Sequence, residues 1–263
     1  MKKQKVVNQN IEDIFELSPL QEGMLFHSIV DSASSAYIIR SSFDIKMLLD
    51  IQHIENALKL LMLRHSVLRT NFFYEKVEKP RQIVLKERKT DLKVIDYSDL
   101  DENTFNTEYN KLLNDEVKHN FDLRKDALLR VTYVKRNNSS KLIFTMHHII
   151  MDGWCNTIIY SDFFKLYHKL ECGEDYKKLE LQINQENAQK SSYSDYIKWL
   201  NKQDNSKAYE YWKAELENYE NNAEIKPMEK PEATEEQMRE LWGGIDEETT
   251  EKLKKLAERM KRQ

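Results

Sequence analysis

The stretch "TMHHIIMDGW", residues 145–154, decides how this chain is read. It places two adjacent histidines five and four residues ahead of an Asp-Gly pair, in a chain with only five glycines and seven histidines. The run from 141 to 147 alternates as a strand does. Leu142, Phe144 and Met146 share one face, with His148 next in that parity, and Ile143, Thr145 and His147 share the other. The two histidines are therefore expected to do different work, one held inside the fold and the other looking across the sheet's other side or from the strand end into a cavity. Parity alone does not say which is which.

Beyond the Asp-Gly pair, Ile158, Ile159, Phe163, Leu166 and Leu170 recur at helical spacing and predict a helix from Trp154 to Leu170. Gly153 directly precedes it. A glycine there lets backbone and ligand approach closely, and a helix N-terminus offers N–H groups to a developing oxyanion. An imidazole beside such a site can take a proton from an attacking amine or alcohol. Three readings fit these residues: a general base in acyl transfer, satisfied core histidines ahead of a common turn dipeptide, or a His-His-Asp metal cluster.

Composition narrows the class. The chain has 263 residues, 40% of them hydrophobic and 10% aromatic, enough for one large core or two small ones. Its formal charge of -4, from 41 basic and 45 acidic residues, gives no basic field of the kind that binds nucleic acid. No long uncharged apolar run predicts a membrane span, and the basic start "MKKQKVVNQN" is not followed by the apolar stretch of a secretory signal, so the cytoplasm is the expected compartment. Cys155 and Cys172 lie in no metal-type spacing and are expected to be free thiols.

Around the central stretch, "LSPLQEGMLFHSIV" combines Ser18 as a helix N-cap, Pro19 at the first helical position and Gln21 at capping-box spacing, which predicts a helix from Pro19. Residues 37–45 read as a strand and 50–65 as a helix carrying Ile51, Ile54, Leu58, Leu61 and Met62 on one face. "VLRTNFFYE" and "RQIVLKE" flank "KVEKP" as a hairpin. Residues 92–100 predict a further strand, 104–121 a helix, and "ALLRVTYVKR" and "KLIFTMHH" a second hairpin about "NNSS". This order predicts an α/β lobe. The polar stretch 170–192 reads as a linker, "SYSDYIKWLNKQ" and "SKAYEYWKAELENY" as helices, residues 221–237 as a second linker and "DEETTEKLKKLAERMKRQ" as a last helix. Tyr193, Tyr196, Trp199 and Trp212, at helical spacing, are expected to pack. Arg64 and Arg69 are expected to hold their segment to Asp or Glu.

"HHIIMDG" (147–153) matches the HHxxxDG signature of the condensation domains of nonribosomal peptide synthetases, and three further motifs stand in that family's order. "SPLQEGMLFHS" (18–28) resembles its first core motif, "RHSVLRTNF" (64–72) its second and "YSDYIKWL" (193–200) its fourth. The resemblance implies a chloramphenicol-acetyltransferase-like fold, here a two-layer α/β sandwich lobe with a mixed sheet and flanking helices. It also implies amide-bond formation between aminoacyl or peptidyl thioesters. These are delivered on the 4'-phosphopantetheine arms of an upstream donor and a downstream acceptor carrier protein, with neighbouring synthetase domains as further partners. No cofactor bound covalently to this chain and no metal is implied. His148 falls on the family's catalytic position, to deprotonate or orient the attacking amine. His147, Asp152 and Gly153 are expected to support it, Asp152 through an ion pair and Gly153 by lining the place of the reacting carbonyl. "MDGWCNTII" resembles the subtype that accepts an L-configured donor.

The family's domain has two similar lobes. On this resemblance residues 1–172 are the N-terminal lobe with the HHxxxDG loop, 173–244 the connecting helices and linker, and 245–263 the start of a C-terminal lobe that is largely missing, since later motifs of the "GxFVNT" and "RDxSRNP" type have no counterpart here. The expectation is a truncated piece with little activity alone. The alternatives are a non-catalytic half-domain that docks carrier proteins, or a related epimerisation or acyltransferase domain.

Overall fold

The structure is a computed structural model that describes residues 10–31, 34–89, 91–220 and 243–260. The predicted linker 221–237 and the basic start 1–9 lie outside the described residues. The chain divides into two compact units, residues 1–204 and 205–263.

In the first unit the strands form two sheets among the described residues. A three-stranded antiparallel sheet has the order β1-β4-β3, with β1 Ile11–Glu16, β3 Thr70–Phe73 and β4 Arg81–Leu85. A four-stranded sheet has the order β2-β7-β6-β5, with β2 Ile38–Ile45, β5 Asp91–Asp96, β6 Leu129–Lys135 and β7 Ser140–His147. Both predicted hairpins form, β3–β4 and β6–β7. Strand β5 lies parallel to β6, which makes the second sheet mixed. Strand β1 carries no strand signal in the sequence, because "IEDIFE" mixes three charged and three apolar residues without alternation, and it buries only Phe15.

Helix α1, Pro19–Val30, begins as expected: Ser18 accepts from the Gln21 backbone and the Gln21 side chain accepts from the Ser18 backbone. Helix α2, Ile51–Arg64, buries Ile54, Ala57, Leu58, Leu60, Leu61 and Met62. Helix α3, Glu102–Lys118, covers one face of the mixed sheet, where Phe105, Tyr109 and Leu112 pack on Val134 and Ile143. The other face carries Leu142, Phe144 and Met146 into the main core with α2 and with Ile159, Phe163, Leu166 and Leu170 of α4, Gly153–Glu171. The alternation read in β7 therefore separates two buried layers.

Residues 176–187 correct one expectation. They form helix α5, Tyr176–Asn187, which sets Leu179 and Ile183 into the main core. Its Glu186 pairs with Arg64 at 2.7 Å, and its Asn187 donates to the Leu63 carbonyl at 2.9 Å. Two apolar residues four apart suffice to dock a helix that is otherwise polar. Helix α6, Tyr193–Leu200, buries Ser194 and Ile197, the latter against Phe15 and Val84.

The expected packing of the four aromatics holds for Tyr193, against Phe15, and is corrected for Tyr196, Trp199 and Trp212. Tyr193, Tyr196 and Trp199 are exposed along α6 and stack on one another, with Tyr193 also edge-on to Phe15. The second unit contains α7, Ser206–Glu215, and α8, Glu247–Met260, neither of which buries a residue, and Trp212 is exposed. Among the described residues no helix is long and apolar enough to cross a membrane.

Candidate functional site

Strand β7 ends at His147, and His148–Ile150 form one 3-10 turn before the helix α4 cap. The face parity drawn from the alternation stops there, so His148 does not continue the Met146 face. From Leu142 to Met151 every residue is buried except His148. The turn lifts that one ring out of a segment otherwise committed to the core, with Ile149, Ile150 and Met151 all inside it.

His147 is 2% exposed. Its Nδ1 accepts the Ile149 N–H at 3.1 Å, so the proton of the neutral ring sits on Nε2, which faces Ser28 Oγ at 3.4 Å. Tyr37 and Phe121 flank the ring. Burial, helped by the neighbouring His148, pushes its pKa down to about 4. His147 is thus a neutral bracket for the turn. His148 is held by its backbone, whose N–H donates to the Tyr37 carbonyl at 2.8 Å and whose carbonyl accepts from Met151 at 3.2 Å. Its Nδ1 is shielded and without a hydrogen-bond partner.

Asp152 is the N-cap of α4, and its Oδ1 accepts from the Cys155 N–H at 3.0 Å. That bond, aided by the field of His148, holds the carboxyl below its usual range. The expected ion pair is replaced by this cap: among the described residues no basic side chain pairs with Asp152. Gly153 is the first residue of the helix, one position earlier than predicted. A Cβ built on it would meet nothing within 4 Å, so packing inside this chain does not demand a glycine.

The structure thus brings His147, His148, Asp152 and Gly153 together at one turn and helix start. Arg69 lies apart from them: it is buried, with Nε on the Met62 carbonyl at 2.8 Å and Nη1 on Glu12 at 2.6 Å as well as on the Leu85 carbonyl. Arg64 pairs with Asp162 and Glu186. Both arginines do the holding expected of them. Cys155 and Cys172 are free thiols. Among the described residues, no three His, Cys, Asp or Glu side chains converge as metal ligands. Sequence reasoning missed Tyr37 and Ser28 as neighbours of the histidines, since neither carries a local signal for a contact with the end of β7.

A two-sheet α/β lobe with one partly exposed histidine on a turn before a capped helix defines the class, and the comparisons agree with it. The family model described as "Condensation domain" matches residues 11–263. Gramicidin S synthase 2 of Brevibacillus brevis is 36% identical over 218 residues, 82% of this chain and 5% of that protein. Surfactin synthase subunit 3 of Bacillus subtilis (strain 168) is 33% identical over 248 residues, 94% of this chain and 19% of that protein. Among solved structures, the starter condensation domain of rhizomide synthetase RzmA superposes with a TM-score of 0.58 at 18% identity, over 62% of this chain and 41% of that one, a likeness of fold. The chain belongs to the condensation-domain family. It spans only a small part of the length of the curated relatives it matches.

Proposed function

We propose that this lobe supplies the histidine of a peptide-bond-forming site, with His148 Nε2 as the group that meets the attacking amine. The observation that carries the reading is the exposure pattern: His148 alone turns outward from a buried run of ten residues, with its other ring nitrogen shielded. The donor is an aminoacyl or peptidyl thioester and the acceptor an aminoacyl thioester, each on the phosphopantetheine arm of a carrier protein. The acceptor nitrogen bonds to the donor carbonyl carbon, the C–S bond breaks, and the proton lost by the amine goes by way of His148 to the departing thiolate. His147 keeps the turn in place as a neutral ring, and Asp152 and Gly153 start the helix whose first N–H groups face the reacting carbonyl. The residues after the Asp-Gly pair suit an L-configured donor.

The test is made on the full polypeptide encoded by the reading frame that contains this chain, with one carrier protein loaded as donor and another as acceptor. His148→Ala abolishes dipeptidyl thioester formation while the variant keeps the melting temperature of the parent. Turnover retained in that variant removes His148 from its role.

A further inference from the structure

Helix α1 presents Gln21 and Ser28, two helical turns apart on one face, to the turn that carries His148. Gln21 Nε2 donates to the Ile149 carbonyl at 3.1 Å. Ser28 Oγ receives His147 Nε2 at 3.4 Å, and His147 Nδ1 in turn accepts the Ile149 N–H at 3.1 Å. Both backbone polar groups of Ile149, the residue next to His148, are therefore held from α1, one directly and one through His147.

Gln21 has no freedom to swing away. Its Oε1 accepts from the Ser18 N–H at 3.0 Å and from Gln82 Nε2 at 3.0 Å, and its Nε2 also reaches Gln82 Oε1 at 3.4 Å. All four hydrogen-bonding positions of that carboxamide are used. Gln82 sits on β4, the middle strand of the three-stranded sheet, and donates further to the Glu16 carbonyl at the end of β1 at 2.9 Å. Ile149 follows β7, in the other sheet. One buried amide pair thus couples the three-stranded sheet to the turn that ends the four-stranded one. A capping box needs only the Ser18 bond of Gln21, so the bond to Ile149 is extra to it. Ser28 Oγ donates its own proton back to the Met24 carbonyl at 2.9 Å, which leaves an oxygen lone pair turned to the His147 Nε2–H.

We propose that Gln21 and Ser28 are positioning residues that set where the His148 ring stands. This deepens the reading of His148 given above and rests on it. A reacting nitrogen displaced by about 1 Å can lower a rate by about a hundredfold, which is the scale on which such a clamp acts.

Amide hydrogen exchange tests the clamp and kinetics its consequence. In Ser28→Ala and in Gln21→Met the Ile149 N–H exchanges about tenfold faster or more, while amides inside α2 and β7 keep their protection. In the full polypeptide the same variants lose roughly ten- to a hundredfold in kcat, with KM for the loaded acceptor carrier unchanged. Should Gln21→Met fail to fold, Ser28→Ala decides alone, since it removes one oxygen at a helical position where alanine is favoured. Unchanged Ile149 exchange in the folded variants, or faster exchange with kcat intact, overturns the proposal. Loss of activity in His148→Ala beside full activity in Ser28→Ala and Gln21→Met sinks the positioning role alone. Full activity in His148→Ala sinks the catalytic reading, and the exchange data then still report whether α1 clamps the turn.

Discussion

His147 accepts the Ile149 N–H on Nδ1 at 3.1 Å, whereas the adjacent His148 has a shielded Nδ1 with no partner. Two consecutive imidazoles are thereby given opposite conditions. One is locked as a neutral acceptor, and the other has no hydrogen bond on its Nδ1.

The locked ring makes stability depend on pH. The His147 pKa falls from the ordinary 6.5 to about 4 in the fold, so between these values the unfolded chain binds the extra proton. Its contribution is fully present above about pH 6.5 and is lost as the pH falls toward 4, by on the order of 3 kcal/mol at most. Urea unfolding at pH 7.5 and pH 4.5 reads this against His147→Asn, which lacks the titration. The wild type is expected to lose more stability than the variant across that interval, and equal losses would contradict the assignment.

Arg69 joins three segments through one guanidinium: Met62 near the end of α2, Glu12 on β1, and the carbonyls of Leu85, the last residue of β4, and of Lys86 after it. Arg69→Ala leaves the buried Met62 carbonyl without its guanidinium donor and Glu12 without its partner, and is expected to cost about 3 kcal/mol in denaturant unfolding. Arg69→Lys recovers little, because an ammonium cannot reproduce the planar fork. A lysine variant as stable as the parent would show that charge alone suffices.

Asp152 and Gly153 separate folding from chemistry. Asp152→Ala removes the α4 cap and is expected to cost about 1 kcal/mol, with Asp152→Ser restoring most of it. Gly153→Ala is expected to leave stability within about 0.5 kcal/mol of the parent, because its new methyl meets nothing within 4 Å. The same variant should form dipeptidyl thioester more slowly, since that open space is where the reacting carbonyl is proposed to sit. Undiminished turnover would show that the carbonyl lies elsewhere.

The stacked Tyr196 and Trp199 contribute little to the fold of the described chain, because their rings lie on the exposed side of α6, whereas Tyr193 packs on Phe15 and Ile197 anchors the helix. Trp199→Ser is expected to shift unfolding by no more than about 0.5 kcal/mol, against about 2 to 4 kcal/mol for Ile197→Ala. A large loss at Trp199 would mean that the ring is covered in solution.

The sequence by itself determined what local periodicity and capping chemistry can carry. The alternation from Leu142 to His147 is the strand it predicts, the Ser18–Gln21 spacing is the capping box it predicts, and the apolar spacing from Ile158 to Leu170 is α4. The motif order also placed the four candidate site residues on one turn. The tertiary structure alone decided which histidine is buried, because the chain leaves strand geometry between the two and the parity rule ends with the strand. It also decided the parallel pairing of β5 with β6, the docking of α5 through Leu179 and Ile183, and the strand β1 hidden among charges. Above all, it set the Gln21 amide against Ile149, 128 residues away along the chain. Short-range spacing reports a residue's own element, whereas the partner that satisfies a buried polar group is chosen by packing between distant segments.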